Sequence, residues 1–167
     1  MLDDVGELAP ATALGSSWTL FTDQVMGGLS AGSLVVATMD GRRALRLQGT
    51  VSLANDGGFV QMSLDLGRGG GAFDASAWRG IELDVQGNGE IYGAHLRTVD
   101  LVRPWQSYRR SFAAPACWTT IRLPFASFVA HRVATSLDVS RLRRIGLVAI
   151  GRAFTADLSL AGLRLYR

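Results

Sequence analysis

Apolar and polar residues alternate along many short segments of this chain, and each segment ends at a turn signal. Between residues 59 and 66 every second residue is apolar, and Ile81-Glu82-Leu83-Asp84-Val85 repeats the pattern. A period of two is the repeat of a β-strand with one buried face. Asp40-Gly41 and Asn88-Gly89 are dipeptides typical of tight hairpin turns. The pattern therefore predicts antiparallel strands and very little helix.

The predicted strands number about ten, at a spacing typical of β-sandwiches. They cover residues 16–21, 33–38, 44–47, 59–66, 81–85, 91–98, 108–113, 118–123, 145–150 and 158–166. Only residues 136–144 carry a helix-like pattern, with Ser136 or Asp138 as the candidate cap. No repeat or linker divides the chain. We therefore expect one all-β domain over residues 1–167, a two-sheet antiparallel jelly-roll β-sandwich.

The basic residues are unusual because all 17 of them are arginine. Genome composition would produce this, and so would a surface that pairs with carboxylates or phosphates in a planar, bidentate way. The net charge is only +3 and the arginines are scattered. A nucleic-acid-binding domain usually concentrates its basic residues, so no nucleic-acid partner is expected.

Cys117 is the single cysteine, so a reducing compartment is allowed. The acidic start lacks a signal peptide, and no apolar run is long enough to span a membrane. We expect a cytoplasmic protein without membrane insertion. His95 and His131 are far apart in the sequence, so no zinc spacing is present and no metal or cofactor is predicted. A calcium site built from Asp23 and Asp157 stays open as an alternative.

Three patterns resemble catalytic motifs, and each has a better structural interpretation. Residues 28–32 match Gly-x-Ser-x-Gly, but a nucleophile elbow needs a helix afterwards and a strand-like run follows here. Gly87-Asn88-Gly89 fits a hairpin better than a dinucleotide loop. Glu82 and Asp84 share one strand face, which suggests glycosidase carboxylates or, more simply, a solvated face. We predict that the chain is not an enzyme.

The stretch 23–32, Asp-Gln-Val-Met-Gly-Gly-Leu-Ser-Ala-Gly, is dense in glycine and therefore follows a tight, defined path. We expect the Asp23 carboxylate to accept backbone N–H bonds of this loop and fix its path. The other structural residues of the loop are Gly27, Gly28, Ser30 and Gly32.

This loop resembles the signature of the CIA30 family, the proteins related to the mitochondrial complex I intermediate-associated protein 30. Further matching segments follow in order along nearly the whole chain. They are Trp18, Gly57-Gly58-Phe59, residues 79–85 with Gly87-Asn88-Gly89, residues 96–98, Trp105 with Tyr108, and residues 118–128. Gln61-Met62-Ser63 and Arg109-Arg110 depart from the family pattern.

The resemblance implies a galactose-binding-domain-like jelly roll, similar in fold to some carbohydrate-binding modules. It also implies an assembly role, because mitochondrial relatives assist the assembly of respiratory complex I. We expect a non-catalytic module that binds a protein partner, with respiratory complex subunits as one candidate. The alternative is a lectin-like module that binds a saccharide, since one fold serves many functions.

Strand parity and the family match make Arg97 the expected central polar group of a concave binding face. Its predicted companions are His95 on the same strand, Gln61 on a facing or adjacent strand, and Trp105 and Tyr108 at the rim. A guanidinium there must be paired or hydrated, because an unpaired buried charge is destabilising. Arg97 is therefore expected to pair with Glu82 or Asp84 one strand away, or to bind a carboxylate or polyol ligand.

Overall fold

Two antiparallel β-sheets pack face to face in the computed structural model, which describes residues 1–7 and 9–167. The strands are β1 (Thr19–Thr22), β2 (Ala31–Met39), β3 (Arg42–Val51), β4 (Phe59–Asp65), β5 (Gly80–Gly87), β6 (Ile91–Thr98), β7 (Ser107–Ala113), β8 (Thr119–Pro124), β9 (Val129–His131), β10 (Leu142–Ile150) and β11 (Phe154–Tyr166). The prediction of an all-β, two-sheet antiparallel sandwich is confirmed.

The six-stranded sheet has the order β1-β4-β10-β6-β7-β9, and the five-stranded sheet has the order β2-β3-β11-β5-β8. Strands that are neighbours in a sheet are rarely neighbours in the sequence, so the chain crosses repeatedly between the two layers. As a result β4 and β6 lie on either side of β10, while β5 belongs to the other sheet.

The hairpin turns follow the sequence signals closely. Asp40 and Gly41 have φ angles of 47° and 79°, the positive values that a tight hairpin between β2 and β3 requires. The predicted helix over 136–144 reduces to one short 3₁₀ turn at Val139–Arg141, capped by Asp138, before β10 begins at Leu142. Within the described residues, no helix has the length and apolar character needed to cross a membrane.

The core lies between the sheets and consists of the apolar side chains that occupy every second position of each strand and face inward. Val60, Met62 and Leu64 of β4 are fully buried there, as their alternation predicts. Tyr108 corrects an expectation: it was placed at the rim of a ligand site, yet it pairs with the inward-facing Leu96 and is 2% exposed. Because its register position faces the core, the Tyr108 ring is not available to a ligand on the opposite side of the sheet.

Candidate functional site

The solvent side of the six-stranded sheet collects most of the predicted site residues. We call this surface the outer six-stranded face. The register places on it Thr19 and Phe21 of β1; Gln61, Ser63 and Asp65 of β4; Arg144, Gly146 and Val148 of β10; Gly93, His95 and Arg97 of β6; Arg109 and Ser111 of β7; and Val129 and His131 of β9. Gln61, His95 and Arg97 therefore share one surface, with β10 between the first and the other two.

Two strand glycines let the central polar side chains lie flat on the sheet. A Cβ atom added to Gly146 would lie 2.7 Å from Nε2 of Gln61, and one added to Gly93 would lie 3.0 Å from Nε2 of His95. The Gln61 amide thus covers β10, and the His95 ring folds back along its own strand. Sequence reasoning missed both glycines, although glycine inside a strand is a signal for close approach.

Arg97 holds a loop rather than a carboxylate. Its Nη1 donates to the carbonyl oxygens of Arg103 at 2.9 Å and Gln106 at 2.7 Å, and to that of Pro104, while Nη2 donates to the carbonyl of Leu101. Burial, together with the nearby Arg144 and Arg143 charges, lowers the pKa of Arg97. The Arg97 guanidinium therefore fixes the conformation of residues 99–106, which connect β6 to β7. We call this segment the loop clasped by Arg97.

The loop clasped by Arg97 presents two exposed apolar side chains beside the outer six-stranded face. Trp105 is 50% exposed, and the Arg103 guanidinium lies over its ring at 5.7 Å from the centroid. Val102 is 80% exposed. Trp105 is therefore exposed in the loop whose backbone Arg97 holds, and its role at the rim of a site stays a prediction.

The expected pairing of Arg97 with Glu82 or Asp84 is wrong, because both acids lie on β5 in the other sheet. There Arg164 donates to Glu82 at 2.7 Å and to both Asp84 carboxylate oxygens at 2.7 and 2.8 Å. The Arg164 hydrogen bonds hold the pKa of Asp84 far below its ordinary value, although burial opposes them. These acids form a structural ion-pair network on the outer side of the five-stranded sheet, so neither is free to act as a glycosidase carboxylate.

Arg109 lies directly opposite His95 across β6 and β7. Its Nε donates to the Ser107 hydroxyl at 2.9 Å, and within the described chain no carboxylate pairs with it. Burial and the Arg132 charge lower the pKa of Arg109. Burial, followed by the charges of Arg109 and His131, lowers the pKa of His95 to about 3. His95 is therefore a neutral ring at physiological pH.

Asp23 joins two loops at one end of this face. Its carboxylate is fully buried and accepts hydrogen bonds from the backbone N–H groups of Ser30 at 2.9 Å, Gly58 at 2.5 Å and Phe59 at 3.2 Å, and from the Ser30 hydroxyl. Burial opposes ionisation, yet these bonds hold the pKa of Asp23 below its ordinary value. The loop over 23–30 is thereby fixed to the loop over 52–58. The donors Gly58 and Phe59 were not expected from the sequence.

The glycines around Asp23 are there because side chains would not fit. A Cβ atom added to Gly57 would lie 2.6 Å from Oδ2 of Asp23, and one added to Gly28 would collide with Oδ1. Gly27 adopts a positive φ of 83°, and a Cβ atom on Gly32 would meet Val60 at 2.6 Å. With Asp23 fully used and Asp157 bound to Arg46 at 2.7 Å, the calcium alternative has no support among the described residues.

The sequence itself decides the family. The model of the Complex I intermediate-associated protein 30 (CIA30) family matches residues 10–160. The chain belongs to the CIA30 family. No curated protein matches the sequence of this CIA30 domain.

Solved structures show what the CIA30 fold is similar to. The family 11 carbohydrate-binding module from Clostridium thermocellum, in complex with a β-1,3-1,4-mixed-linked tetrasaccharide, has a TM-score of 0.76 at 17% identity, covering 99% of this chain and 94% of that one. The family 30 module of a cellulosomal cellulase of the same organism has a TM-score of 0.61 at 18% identity, covering 83% and 90%. At such identities the likeness establishes the β-sandwich fold of these modules and nothing finer.

Proposed function

We propose that this CIA30 domain is a non-catalytic binding module that holds a protein partner during assembly of a larger complex. The binding surface is the outer six-stranded face together with the loops at its two ends. The description of the family makes a subunit of respiratory complex I the first candidate partner.

The observation that carries the proposal is that exposed apolar side chains are more numerous on the outer six-stranded face and in the loops at its ends than on the outer five-stranded surface. Phe21, Ile91 and Val129 lie on the outer six-stranded face, Val102 and Trp105 in the loop clasped by Arg97, and Val25, Met26, Leu29 and Leu53 in the loops joined by Asp23. The outer five-stranded surface carries Val35. Exposed apolar groups collected on one side of a domain mark an interaction surface.

The polar residues of the same surface suit a protein interface. Arginine and tryptophan dominate the binding energy of many interfaces, and Arg109 and Trp105 are both available here. His95 and Gln61 lie flat beside them and offer donors and acceptors without projecting side chains. A partner would therefore meet a level surface with polar groups in the middle and apolar groups toward the margins.

The candidate catalytic groups are occupied by structural contacts, which supports a binding role. The Ser30 hydroxyl donates to Asp23 and accepts from the backbone N–H of Ser52 at 2.8 Å, and Ser30 is fully buried. It therefore cannot serve as the nucleophile of Gly-x-Ser-x-Gly. Glu82 and Asp84 are bound by arginines.

A saccharide ligand is the second candidate, and the flat polar centre formed by Gln61 and His95 favours it. Sugars, however, stack on aromatic rings, and among the described side chains of this face such rings stand only at its margins, at Phe21 and Trp105. The centre lacks the ring platform, so the protein partner is preferred.

Two matched substitutions test the proposal, since both replace an exposed valine on an edge strand by glutamate. Val129→Glu changes the outer six-stranded face, and Val35→Glu changes the outer five-stranded surface. We expect the unmodified domain and the Val35→Glu variant to capture complex I subunits from host membranes, and the Val129→Glu variant to lose them. A glycan array with specific binding that Gln61→Ala abolishes, together with no capture, would establish the saccharide function instead.

A further inference from the structure

We propose that Arg109 is the anion-binding residue of the outer six-stranded face, and that the partner brings an acidic peptide segment to it. This inference rests on the proposed function and specifies the chemistry of the partner. The segment would place one carboxylate on the Arg109 guanidinium and apolar side chains beside it.

The first observation is that Arg109 differs from the other arginines that the register places on the outer faces of the two sheets. Elsewhere on the strands, Arg43, Arg110 and Arg143 also lack a carboxylate partner among the residues described. Arg42, Arg46, Arg122 and Arg164 each have a carboxylate within 3.3 Å, and Arg144 pairs with Asp65 at 2.7 Å. Arg97 is bound by four loop carbonyls. Arg109 uses only its Nε, on the Ser107 hydroxyl, so both of its Nη groups are without a partner in the described structure.

The second observation is that Arg109 is half-removed from water. Burial lowers the pKa of its guanidinium, and the Arg132 charge lowers it further. A partly desolvated cation gains more from a counter-charge than an exposed one does, because water has already been displaced from it. Its free Nη edge has the fork geometry that binds a carboxylate in a bidentate way.

The third observation is the pair of imidazoles beside Arg109. His95 is its direct cross-strand partner, and His131 is two residues from Val129, which pairs with Arg109 on the other side. The Arg109 charge contributes to the lowered pKa of both rings. Two neutral rings close to a guanidinium provide N–H donors for the second side of a bound carboxylate.

The neighbouring apolar groups favour a peptide over other anions. Val129 lies opposite Arg109 and is exposed, and Phe21 and Ile91 lie farther along the same face. A polypeptide carries carboxylates and aliphatic side chains at the spacing of a sheet surface. Base stacking of a nucleic acid and contact with the sugar faces of an acidic saccharide both need exposed aromatic rings close to the guanidinium. On the described part of this face such rings stand only at its margins, at Phe21 and Trp105.

The test uses the full chain, isotope-labelled for NMR, at low ionic strength. The probe is a short peptide in which glutamate alternates with leucine, and its control is the same peptide with glutamine in place of glutamate. We expect the Nε–H signal of Arg109 and the amide signals near Gly93 to shift with the acidic peptide. Replacing glutamate by glutamine, or Arg109→Gln, should each weaken binding by about tenfold or more.

Arg110→Gln is the matched control, because it removes the same charge from the next residue of β7. Arg110 pairs with the core-facing Ala94 and therefore lies on the other parity of the strand. Binding by this variant should change less than about twofold, because the charge it removes lies on the opposite side of the strand from the proposed site. Equal affinity of the acidic and glutamine peptides, equal effects of the two arginine variants, or no binding of the acidic peptide would overturn the inference.

Polygalacturonate and a single-stranded DNA oligonucleotide serve as competitors. Either one binding through Arg109 more tightly than the peptide would reassign the site to an acidic saccharide or to phosphate. Capture of the protein partner by the two variants distinguishes a failure of this inference from a failure of the proposed function. Capture lost with Val129→Glu but unchanged with Arg109→Gln would refute the anion site alone, whereas capture unaffected by both would refute both.

Discussion

The two sheets of this domain carry arginines on their outer sides and use them differently. On the five-stranded side, Glu82 and Asp84 are surrounded by Arg164, Arg122 and Arg42, so the charges neutralise one another within the fold. On the six-stranded side, Arg97 holds a loop and Arg109 keeps unpaired donors. An arginine of the outer faces is structural where a carboxylate or loop carbonyls accept its hydrogen bonds. Arg109 is available for binding because, in the described structure, neither accepts a hydrogen bond from its Nη groups.

The exposed apolar side chains follow the same division. Three of them lie on strands of the outer six-stranded face, and most of the others lie in loops at the ends of that face whose conformations Asp23 and Arg97 fix. A buried acid thus organises the loops at one end of the face, and a partly buried base organises the loop at the other. The loops of the binding side are therefore fixed by polar groups whose hydrogen bonds are already made within the domain.

The largest effect is expected at Asp23, whose loss tests whether the loops of the binding side depend on a buried acid. Asp23→Ala leaves the N–H groups of Ser30, Gly58 and Phe59 without their acceptor, so unfolding should become easier by about 3 kcal/mol. Urea denaturation measures this. Asp23→Asn keeps one acceptor oxygen and should cost about half as much; an Asp23→Ala variant as stable as the original chain would contradict the assignment.

Asp84→Ala tests the five-stranded network directly and should come next. Asp84 is almost fully buried and binds Arg164, Thr120 and Arg42, so its removal should destabilise the fold by about 2 kcal/mol through uncompensated arginines. Arg109→Gln is the contrasting variant on the other face and should change the free energy of unfolding by less than about 0.5 kcal/mol. Equal losses of stability in the two variants would contradict the distinction between the two faces.

The lowered pKa of His95 predicts how the free energy of unfolding depends on pH. Its pKa is about 3 in the folded domain against 6.5 ordinarily, so below pH 6.5 the unfolded chain binds a proton that the folded domain rejects. Stability is therefore complete above that value and falls as the pH is lowered, by up to about 2 kcal/mol between about pH 6.5 and about pH 5.

Thermal denaturation at several pH values, compared with the same series for His95→Gln, measures the contribution of His95. Burial and neighbouring cations also lower the pKa of His131, which adds a slope of the same sign that the variant retains. The carboxylates Asp23 and Asp84 titrate below this range, because their pKa values are lowered from 3.8. A His95→Gln variant with an unchanged slope would show that the ring is not desolvated.

Among the variants that remove structural hydrogen bonds, the smallest loss of stability is expected at Arg97, because its bonds act on one loop. Arg97→Ala should cost about 1 kcal/mol while hydrogen exchange accelerates in residues 101–106 and partner capture weakens. Arg97→Lys should not restore the loop, since an ammonium lacks the planar fork that reaches several carbonyls. Exchange rates in 101–106 that stay the same in Arg97→Ala would show that the loop holds itself.

Strand positions and hairpins were predictable because they depend on neighbours in the sequence. The alternation over 59–66 identifies β4 within one residue, and residues 91–98 coincide with β6. Asp40-Gly41 forms its turn for local backbone reasons. The three-residue strand β9 was missed, since Val129–His131 is too short to show a period and forms through its pairing with β7.

The site was predictable only in part, because the sequence indicates the face of a strand on which a side chain lies but not which strands are its neighbours. Alternation correctly placed His95 and Arg97 on one face, because parity is a property of a single strand. The partner of Arg97 depended on which strands lie beside β6, and β5 was in the other sheet.

The sequence by itself determined the family, the strands and the faces on which side chains lie. Only the tertiary structure decided the order of the strands, the burial of Tyr108 and the donors that reach Asp23 from a loop 35 residues away. The physical reason is that strand periodicity depends on residues that are neighbours in the sequence. Hydrogen bonds and ion pairs, in contrast, also join residues that only folding brings together.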